Sequence, residues 1–203
     1  MKALLQHLYN ITLRNRRLNK FTEILTPYMP ENAVILDLGC GNGDLAAHLQ
    51  KNKKGLQFVG LEIKPREDAA IPIMAYDGTM IPYEDNHFDY VMLVTVLHHT
   101  DDYLPLLKEA KRVAKKGIII ADHQYKNKLE WLTLAFIDWP GNVPFGVYTP
   151  FNFKTRSEWQ ELYRQTGLVE TAYNDQLYVY GKTADFALGK KMHFISVLDK
   201  EKI

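Results

Sequence analysis

The sequence predicts an α/β protein built on a doubly wound, mostly parallel sheet. Short apolar segments alternate with amphipathic helical patterns from residue 33 to about residue 122. These segments are rich in Val, Ile and Leu without polar alternation, as expected for parallel strands that are covered on both faces. The first of them runs directly into a glycine-rich turn followed by a helical pattern. Together these observations indicate βαβ units and a ligand site at the ends of the strands.

The composition suits one globular domain spanning residues 1–203. The chain has 203 residues, of which 46% are hydrophobic, so a sizeable core can form. Its 25 basic and 24 acidic residues give a net charge of +1, so no nucleic-acid partner is expected. The single cysteine allows no intrachain disulfide and predicts a reducing, cytoplasmic location. No apolar run reaches the roughly 18 residues that a membrane-spanning helix needs.

The N-terminal segment is basic and amphipathic, with no acidic residue before Glu23. Its apolar spacing predicts a helical cap over residues 1–29 that Pro27 and Pro30 bring to an end. The segment lacks the apolar centre and cleavage site of a secretory signal. A transit peptide and a membrane-surface helix are the two alternatives, so peripheral membrane contact is left open.

The regular part of the chain contains the core of the sheet. Strands are predicted at residues 33–38, 57–62, 71–75, 88–95 and 117–121. Helices are predicted at residues 44–51 and 101–114, the second capped by Asp101 or Asp102. Pro72 cannot donate a hydrogen bond within a sheet, so the third strand is expected at an edge.

The alternation ends after residue 122. Residues 123–153 are rich in aromatic side chains and contain one helical pattern, at residues 128–138. We expect this segment to be an insertion that forms a substrate lid. A helix at residues 156–166 follows, and then strand-like runs at residues 168–173, 177–180 and 193–198.

The glycine-rich turn has the spacing Gly39-x-Gly41-x-Gly43. Glycines between a strand and a helix let the backbone turn sharply and approach a nucleotide closely. The dinucleotide fingerprint G-x-G-x-x-G would place a further glycine at the position of Asp44. The turn therefore favours a nucleotide ligand but disfavours NAD. Cys40, within the turn, is expected to be a small packed residue rather than a nucleophile.

Acidic residues follow the next two strands. Glu62 ends the second strand, 19 residues after Gly43, where a carboxylate can accept hydrogen bonds from ribose hydroxyls. Asp77 follows the third strand and is placed to accept a hydrogen bond from an exocyclic amine. Acids at this edge suit a cationic ligand better than one rich in phosphate. The alternatives are that Glu62 is a solvated strand end and that Asp77 forms a turn before Gly78.

Four motifs in this order carry a family resemblance: ILDLGCGNG, the acid in VGLEI, YDG, and FDYVMLVTVLHHTDD. They resemble class I S-adenosylmethionine-dependent methyltransferases, and within them the quinone-biosynthesis (type 11) branch. The resemblance covers residues 30–122 strongly and 154–198 loosely. It implies a Rossmann-like, seven-stranded sheet in the order 3-2-1-4-5-7-6, with residues 193–198 as the antiparallel seventh strand.

The resemblance also implies how the cofactor is held. The glycines would pass under its methionine part, Glu62 would hold the ribose, and Asp77 the adenine amine. Residues 94–96 would flank the methyl group, and Tyr9 or Arg16 would reach the cofactor carboxylate. The implied cofactor-binding residues are Asp37, Gly39, Cys40, Gly41, Gly43, Glu62, Ile63, Asp77, Gly78, Val94, Thr95 and His98.

Methyl transfer from a sulfonium is an in-line displacement, so the protein mainly aligns the reactants and, for some acceptors, removes a proton. The candidate bases are His99, His123 and Tyr125, near the ends of strands four and five. The alternative for the histidines is cofactor packing or helix capping. No metal site is expected, because His98, His99 and His123 lack ligand spacing.

The aromatic segment 123–153 is predicted to line the acceptor site, which favours a small aromatic or apolar acceptor. The residues expected to form this wall are Trp131, Phe136, Trp139, Phe145 and Tyr148. The alternative is that they only cover the sheet. Two other function classes are weighed against a small-molecule methyltransferase. One is an NAD-dependent oxidoreductase, and the other is a module that binds S-adenosylmethionine without catalysis.

Overall fold

A seven-stranded sheet organises the chain in the computed structural model, which describes residues 15–142, 148–179 and 192–201. The strand order is β3-β2-β1-β4-β5-β7-β6. Neighbouring strands are parallel except β7, which is antiparallel to both β5 and β6. The strands are β1 Val34–Leu38, β2 Gln57–Glu62, β3 Ile73–Ala75, β4 Phe88–Val94, β5 Ala114–His123, β6 Leu168–Asn174 and β7 His193–Lys200. The predicted fold, strand order and antiparallel seventh strand are confirmed.

Five helices, two of which begin at side-chain caps, accompany these strands in the described part of the chain. They are α1 Asn15–Leu25, α2 Asp44–Asn52, α3 Tyr103–Val113, α4 Lys128–Asn142 and α5 Arg156–Thr166. Asp102 is the cap of α3, because its side chain accepts a hydrogen bond from the Leu104 amide. A capping box of Thr155 and Glu158 starts α5. Short 3-10 helices occupy Thr26–Tyr28 and Leu97–His99.

The two faces of the sheet carry separate cores. On one face α1 and α2 pack through Phe21, Leu25 and Leu49. On the other face α3 and α5 pack through Leu107 and Trp159. Burying each such side chain contributes about 1.5–3 kcal/mol, so both layers hold the sheet in place. The carboxyl ends of β1, β2, β4 and β5 therefore meet along one rigid edge.

Several element boundaries differ from the predicted ones. The third strand covers only Ile73–Ala75, because Pro72 lies before it and offers its carbonyl oxygen to the Gly60 amide. Its position at the edge of the sheet is confirmed. β5 begins at Ala114, which pairs with Phe88, so strand pairing replaces the last residue of the predicted helix. Residues 175–179 form no strand, although Leu177 and Val179 are buried.

Two other predicted features concern the N-terminal cap and the insertion. The N-terminal cap is described from Asn15 onward, where α1 ends before Pro27 as predicted. The helix predicted at residues 128–138 is α4, which continues to Asn142. Within the described ranges, every helix is too short or too polar to cross a lipid bilayer.

Candidate active site

The glycine loop after β1 is closed on two sides and open on a third. Gly39, Gly41 and Gly43 all have left-handed backbones, with φ of 74°, 59° and 77°. A Cβ on Gly39 would lie 2.7 Å from Val96 Cγ2, and one on Gly43 would lie 2.4 Å from Ile71 Cγ1. A Cβ on Gly41 would have no atom within 4 Å. The loop therefore presents bare backbone to open space at Gly41, as a ligand cradle requires.

Glu62 joins this loop to the end of β2. Its Oε2 accepts a hydrogen bond from the Gly41 amide, and its Oε1 accepts one from the Ile63 amide, both at 2.9 Å. Leu61 strengthens the same connection, because its carbonyl oxygen accepts from the amides of Gly39 and Cys40. The predicted ribose acid therefore lies beside the predicted cradle, next to the exposed side chain of Ile63.

Asp37 places a second carboxylate beneath the loop. Burial, together with the negative charge of Glu62, raises the pKa of Asp37 to about 7. Burial and the two neighbouring carboxylates also raise the pKa of Cys40 far above its ordinary value, so its thiol is not activated as a nucleophile. Two carboxylates that repel one another are stabilised by a cationic ligand, as the sequence predicted for this edge.

Asp77 forms a turn after β3. Its Oδ1 accepts hydrogen bonds from the amides of Thr79 at 2.8 Å and Met80 at 3.1 Å, and these bonds lower the pKa of the exposed carboxyl. Gly78 follows in a left-handed conformation, with φ of 85°. The turn-forming role is thus present in the structure. A role of Asp77 toward adenine stays a prediction.

The backbone after β4 is strained where residues 94–96 approach the glycine loop. Thr95 has a φ of 55°, which is unusual for a β-branched residue. Its amide donates to the Ala121 carbonyl oxygen at 2.8 Å, which holds the turn against β5. The turn aims Val96 at Gly39. This arrangement brings the residues predicted to flank the methyl group next to the cradle.

A buried network lies at the ends of β4 and β5, centred on Asp122. Its Oδ1 is 2.5 Å from His98 Nδ1 and accepts from the His123 amide at 2.7 Å, while its Oδ2 accepts from the Leu97 amide at 3.0 Å. Burial alone would raise the pKa of Asp122, but His98 and His123 outweigh it and hold that pKa far below its ordinary value. Asp122 is therefore an anion within the core.

His98 lies between two carboxylates. Its Nε2 is 3.6 Å from Oδ1 of Asp138, a residue of α4, while its Nδ1 faces Asp122. Burial lowers the pKa of His98, but the two carboxylates outweigh this effect and raise it to about 9. His98 is therefore a cation at neutral pH, and the pair with Asp138 ties the insertion to the sheet.

His123 is enclosed by other rings. Its ring centroid is 4.6 Å from that of His98, 4.5 Å from that of His193 and 5.8 Å from that of Phe153. Burial and the charge on His98 lower the pKa of His123 to about 4, so its ring is neutral. His123 is part of the buried network, and its role as a base stays a prediction.

His99 differs from the other two histidines because it is only half-buried. Its Nδ1 is 2.9 Å from the carbonyl oxygen of Tyr148. Since a carbonyl oxygen can only accept, Nδ1 carries the proton and Nε2 of the neutral ring keeps a lone pair. Burial and the charge on His98 lower the pKa of His99, so the neutral form prevails at pH 7. His99 thus has the protonation state of a general base.

An aromatic cluster lies beside the histidines. Its buried members are Leu134, Phe153 and Met192, and its half-buried members are Tyr125, Trp131, Ala135 and Phe151. The Phe153 ring stacks on His98 at 5.5 Å between centroids. Of the predicted acceptor wall, Trp131 lies in this cluster, whereas the side chains of Phe136, Trp139 and Tyr148 are exposed to solvent, so the prediction that they line the site is not supported. Phe145 and Tyr9 lie outside the described residues, and Arg16 is exposed on α1.

Asp138 is a residue of this site that no sequence pattern indicated, and Tyr148 was expected as an acceptor-wall side chain rather than through its carbonyl oxygen. Both come from the aromatic insertion, and no local pattern connects them to the histidines after β4. Side chains of His98, Asp122 and His123, and of His98, His99 and Asp138, have potential metal ligands within 4.8 Å of one another. These residues already pair with one another through protons, and the expectation of no metal stays a prediction.

A sequence-family model described as a methyltransferase domain matches residues 9–172. The chain belongs to this methyltransferase family. A demethylmenaquinone methyltransferase from Bacillus licheniformis is 31% identical over 159 residues, which cover 71% of this chain and 68% of that protein. A norajmaline N-methyltransferase from Rauvolfia serpentina is 28% identical over 48% of this chain and 38% of that protein.

Solved structures of methyltransferases share the fold. An S-adenosylmethionine-dependent methyltransferase from Mesorhizobium loti has a TM-score of 0.68 at 15% identity, covering 90% of this chain and 100% of that one. One from Thermotoga maritima has a TM-score of 0.66 at 18% identity, covering 98% and 97%. The predicted family and its cofactor, S-adenosylmethionine, are confirmed, and methyl transfer is favoured over NAD chemistry.

Proposed function

We propose that this methyltransferase acts on a small aromatic or apolar acceptor whose reacting atom loses a proton to His99. The observation that carries the proposal is the hydrogen bond between His99 Nδ1 and the Tyr148 carbonyl oxygen, which leaves Nε2 able to accept a proton. When bound, S-adenosylmethionine supplies an electrophilic methyl group. The chain then has to orient the acceptor, exclude water and remove the proton.

The donor side of the site supports binding of this cofactor. Open space at Gly41 would admit the methionine part, and Glu62 is placed to accept from ribose hydroxyls. The buried carboxylate of Asp37 would favour the positive charge of the sulfonium and amino groups. The full proposed set is Asp37, Gly39, Cys40, Gly41, Gly43, Glu62, Ile63, Asp77, Gly78, Val94, Thr95 and His98.

The acceptor side supports an apolar substrate. We place the acceptor against Tyr125, Trp131 and the other members of the aromatic cluster, with residues 123–153 acting as its lid. In this proposal His123 positions His98 rather than taking the proton itself. The demethylmenaquinone methyltransferase relative points to a quinone-like acceptor. The single cysteine supports a cytoplasmic location.

The test of the base is His99→Gln, with exposed His87→Gln as the matched control. Transfer of labelled methyl groups into fractionated metabolites identifies the acceptor, and the kinetics of both variants then follow on that acceptor. We expect kcat of His99→Gln to fall by about 10²–10⁴-fold with little change in KM for the cofactor. An unchanged kcat across the pH range would refute the role of His99.

The test of the cofactor site is Glu62→Ala, with exposed Glu67→Ala as control. Loss of a charged acceptor should weaken binding of S-adenosylmethionine by about 10–100-fold in isothermal titration. Equal affinities for the two variants would contradict the assignment of Glu62. A chain that binds the cofactor but transfers no methyl group to any fraction would instead be a binding module.

A further inference from the structure

The helix of the insertion, α4, is apolar on two faces. One face packs inward through Trp131, Leu134 and Ala135 of the aromatic cluster. The other face carries Leu129, Leu132, Phe136 and Trp139, whose exposed fractions are 73%, 49%, 77% and 54%. We refer to these four residues as the outer stripe. At 100° per residue they lie within about 80° of one another and extend along about 15 Å of the helix.

We propose that the outer stripe docks the protein on an anionic lipid bilayer, with α4 lying in the plane of the interface. The stripe contains no charged residue, so its four side chains can enter the boundary between headgroups and acyl chains. Exposed Lys126 and Lys128 stand at its start, where they would meet anionic headgroups. Trp139 and exposed Tyr148 are side chains that favour membrane interfaces.

The size of the stripe argues for a bilayer rather than a second copy of the chain. Its four side chains expose roughly 500 Å². A stable protein interface buries about 800 Å² on each partner, so the stripe alone is too small for one. A single helix lying in a bilayer needs no further partner surface, because the acyl chains close around its apolar side chains.

The placement of α4 gives docking a consequence for substrate access. The inner face of the helix lines the aromatic cluster, and Asp138 of the same helix pairs with His98. A docked α4 would therefore lie in contact with the lipid phase on one face and with the acceptor site on the other. An apolar acceptor could pass from the bilayer to the site with little exposure to water.

The test uses the full chain and sedimentation with phosphatidylcholine vesicles, with and without phosphatidylglycerol. We expect binding to the anionic vesicles, and we expect Phe136→Ser/Trp139→Ser to weaken it about tenfold or more. The control Met80→Ser/Val169→Thr alters two exposed apolar residues elsewhere and should bind as the unaltered chain does. Lys126→Gln/Lys128→Gln should bind more weakly and with less dependence on salt.

Fluorescence tests the orientation of the helix. Emission from Trp139 should shift to shorter wavelength on vesicles, and Trp139→Leu should abolish most of the shift while the chain still binds. Thermal unfolding of Phe136→Ser/Trp139→Ser, compared with that of Met80→Ser/Val169→Thr, shows whether the fold of the first variant is intact.

Three results would overturn the proposal. The first is that the chain binds neither kind of vesicle. The second is that Phe136→Ser/Trp139→Ser binds as well as the unaltered chain. The third is that light scattering shows a dimer of the unaltered chain and a monomer of Phe136→Ser/Trp139→Ser. Vesicle binding needs neither acceptor nor cofactor, so its failure would leave the proposed base and acceptor class untouched.

Discussion

The donor and acceptor sides of the site lie along one edge of the sheet but are built by different means. The donor side is formed mainly by backbone atoms. It consists of three glycines in the left-handed conformation and the Gly41 amide, which donates a hydrogen bond to Glu62. On the acceptor side the buried carboxylate of Asp122 contacts its neighbour His123 in β5 and also His98 and the Leu97 amide, which belong to the 3-10 helix after β4. The donor side therefore depends on local backbone conformation, whereas the acceptor side depends on side chains that the fold brings together.

The two buried carboxylates show the consequence of this difference. Asp37 faces another acid, and its pKa is raised, whereas Asp122 faces cationic His98, and its pKa is lowered. The donor side therefore holds negative charge for which a ligand is the natural partner. On the acceptor side the protein itself supplies a cation, His98, to the carboxylates of Asp122 and Asp138. We expect the donor side to gain stability from the cofactor and the acceptor side to be stable without it.

The largest expected effect comes from removing each carboxylate in turn. Asp122→Asn should lower the free energy of unfolding by about 3–5 kcal/mol, because it leaves His98 and Leu97 without their buried anion. Asp37→Asn should instead raise it by roughly 1–3 kcal/mol at pH 8, because burial penalises that anion. Urea unfolding of both cofactor-free variants measures this. Equal destabilisation by the two would remove the distinction between the two sides.

The next effect is the dependence of stability on pH. The folded pKa of His98 is raised to about 9 from 6.5, so its contribution is complete below pH 6.5 and is lost as pH rises through 9. The folded pKa of His123 is lowered from 6.5 to about 4, so the protein loses stability as pH falls from 6.5 toward 4. His98→Gln should therefore flatten the alkaline loss, which is on the order of 2–3 kcal/mol. Urea unfolding midpoints measured across this pH range test the prediction, with His48→Gln as the control. If His98→Gln left the alkaline decrease in stability unchanged, the charge on His98 would be contradicted.

A smaller effect separates two glycines of the donor loop. Gly39→Ala should destabilise the cofactor-free protein by about 1–3 kcal/mol, since its Cβ meets Val96 in a left-handed backbone. Gly41→Ala bears similar backbone strain without a clash, so it should lose about 1 kcal/mol of stability and about tenfold or more in cofactor affinity. Thermal unfolding and isothermal titration measure the two quantities. A cofactor affinity that Gly41→Ala left intact would place the ligand elsewhere.

The smallest effect concerns Asn152, near the C-terminal end of the insertion. Asn152 Nδ2 donates to the carbonyl oxygens of Thr100 and Asp101, both at 2.9 Å, and so joins the insertion to the loop after β4. Asn152→Ala should lower the free energy of unfolding by about 1 kcal/mol. The exposed Asn52→Ala, which loses a bond to His48 at the end of α2, should lose less. Urea unfolding of the pair would show whether the insertion is joined to the sheet side as described.

The extent to which the sequence predicts this protein follows the same division. The donor loop was predictable because glycine spacing, apolar runs and strand-end acids are local patterns. The strand order was implied by the family resemblance that these motifs carry. The start of β5 was not predictable, because pairing of Ala114 with Phe88 overrides a helical pattern that continues through Val113. The contacts of Asp138 with His98 and of Tyr148 with His99 could not be predicted for a related reason, because only the fold brings these residues together.

The contact between Val96 and Gly39 has a consequence for how this family varies. The Val96 side chain occupies the space that any side chain at residue 39 would need, and the two residues belong to different segments of the chain. A change at one position is therefore compatible with few changes at the other. Among related sequences, we expect a residue larger than glycine at position 39 to occur together with a smaller residue at position 96. The donor loop and the turn after β4 would then evolve as a pair.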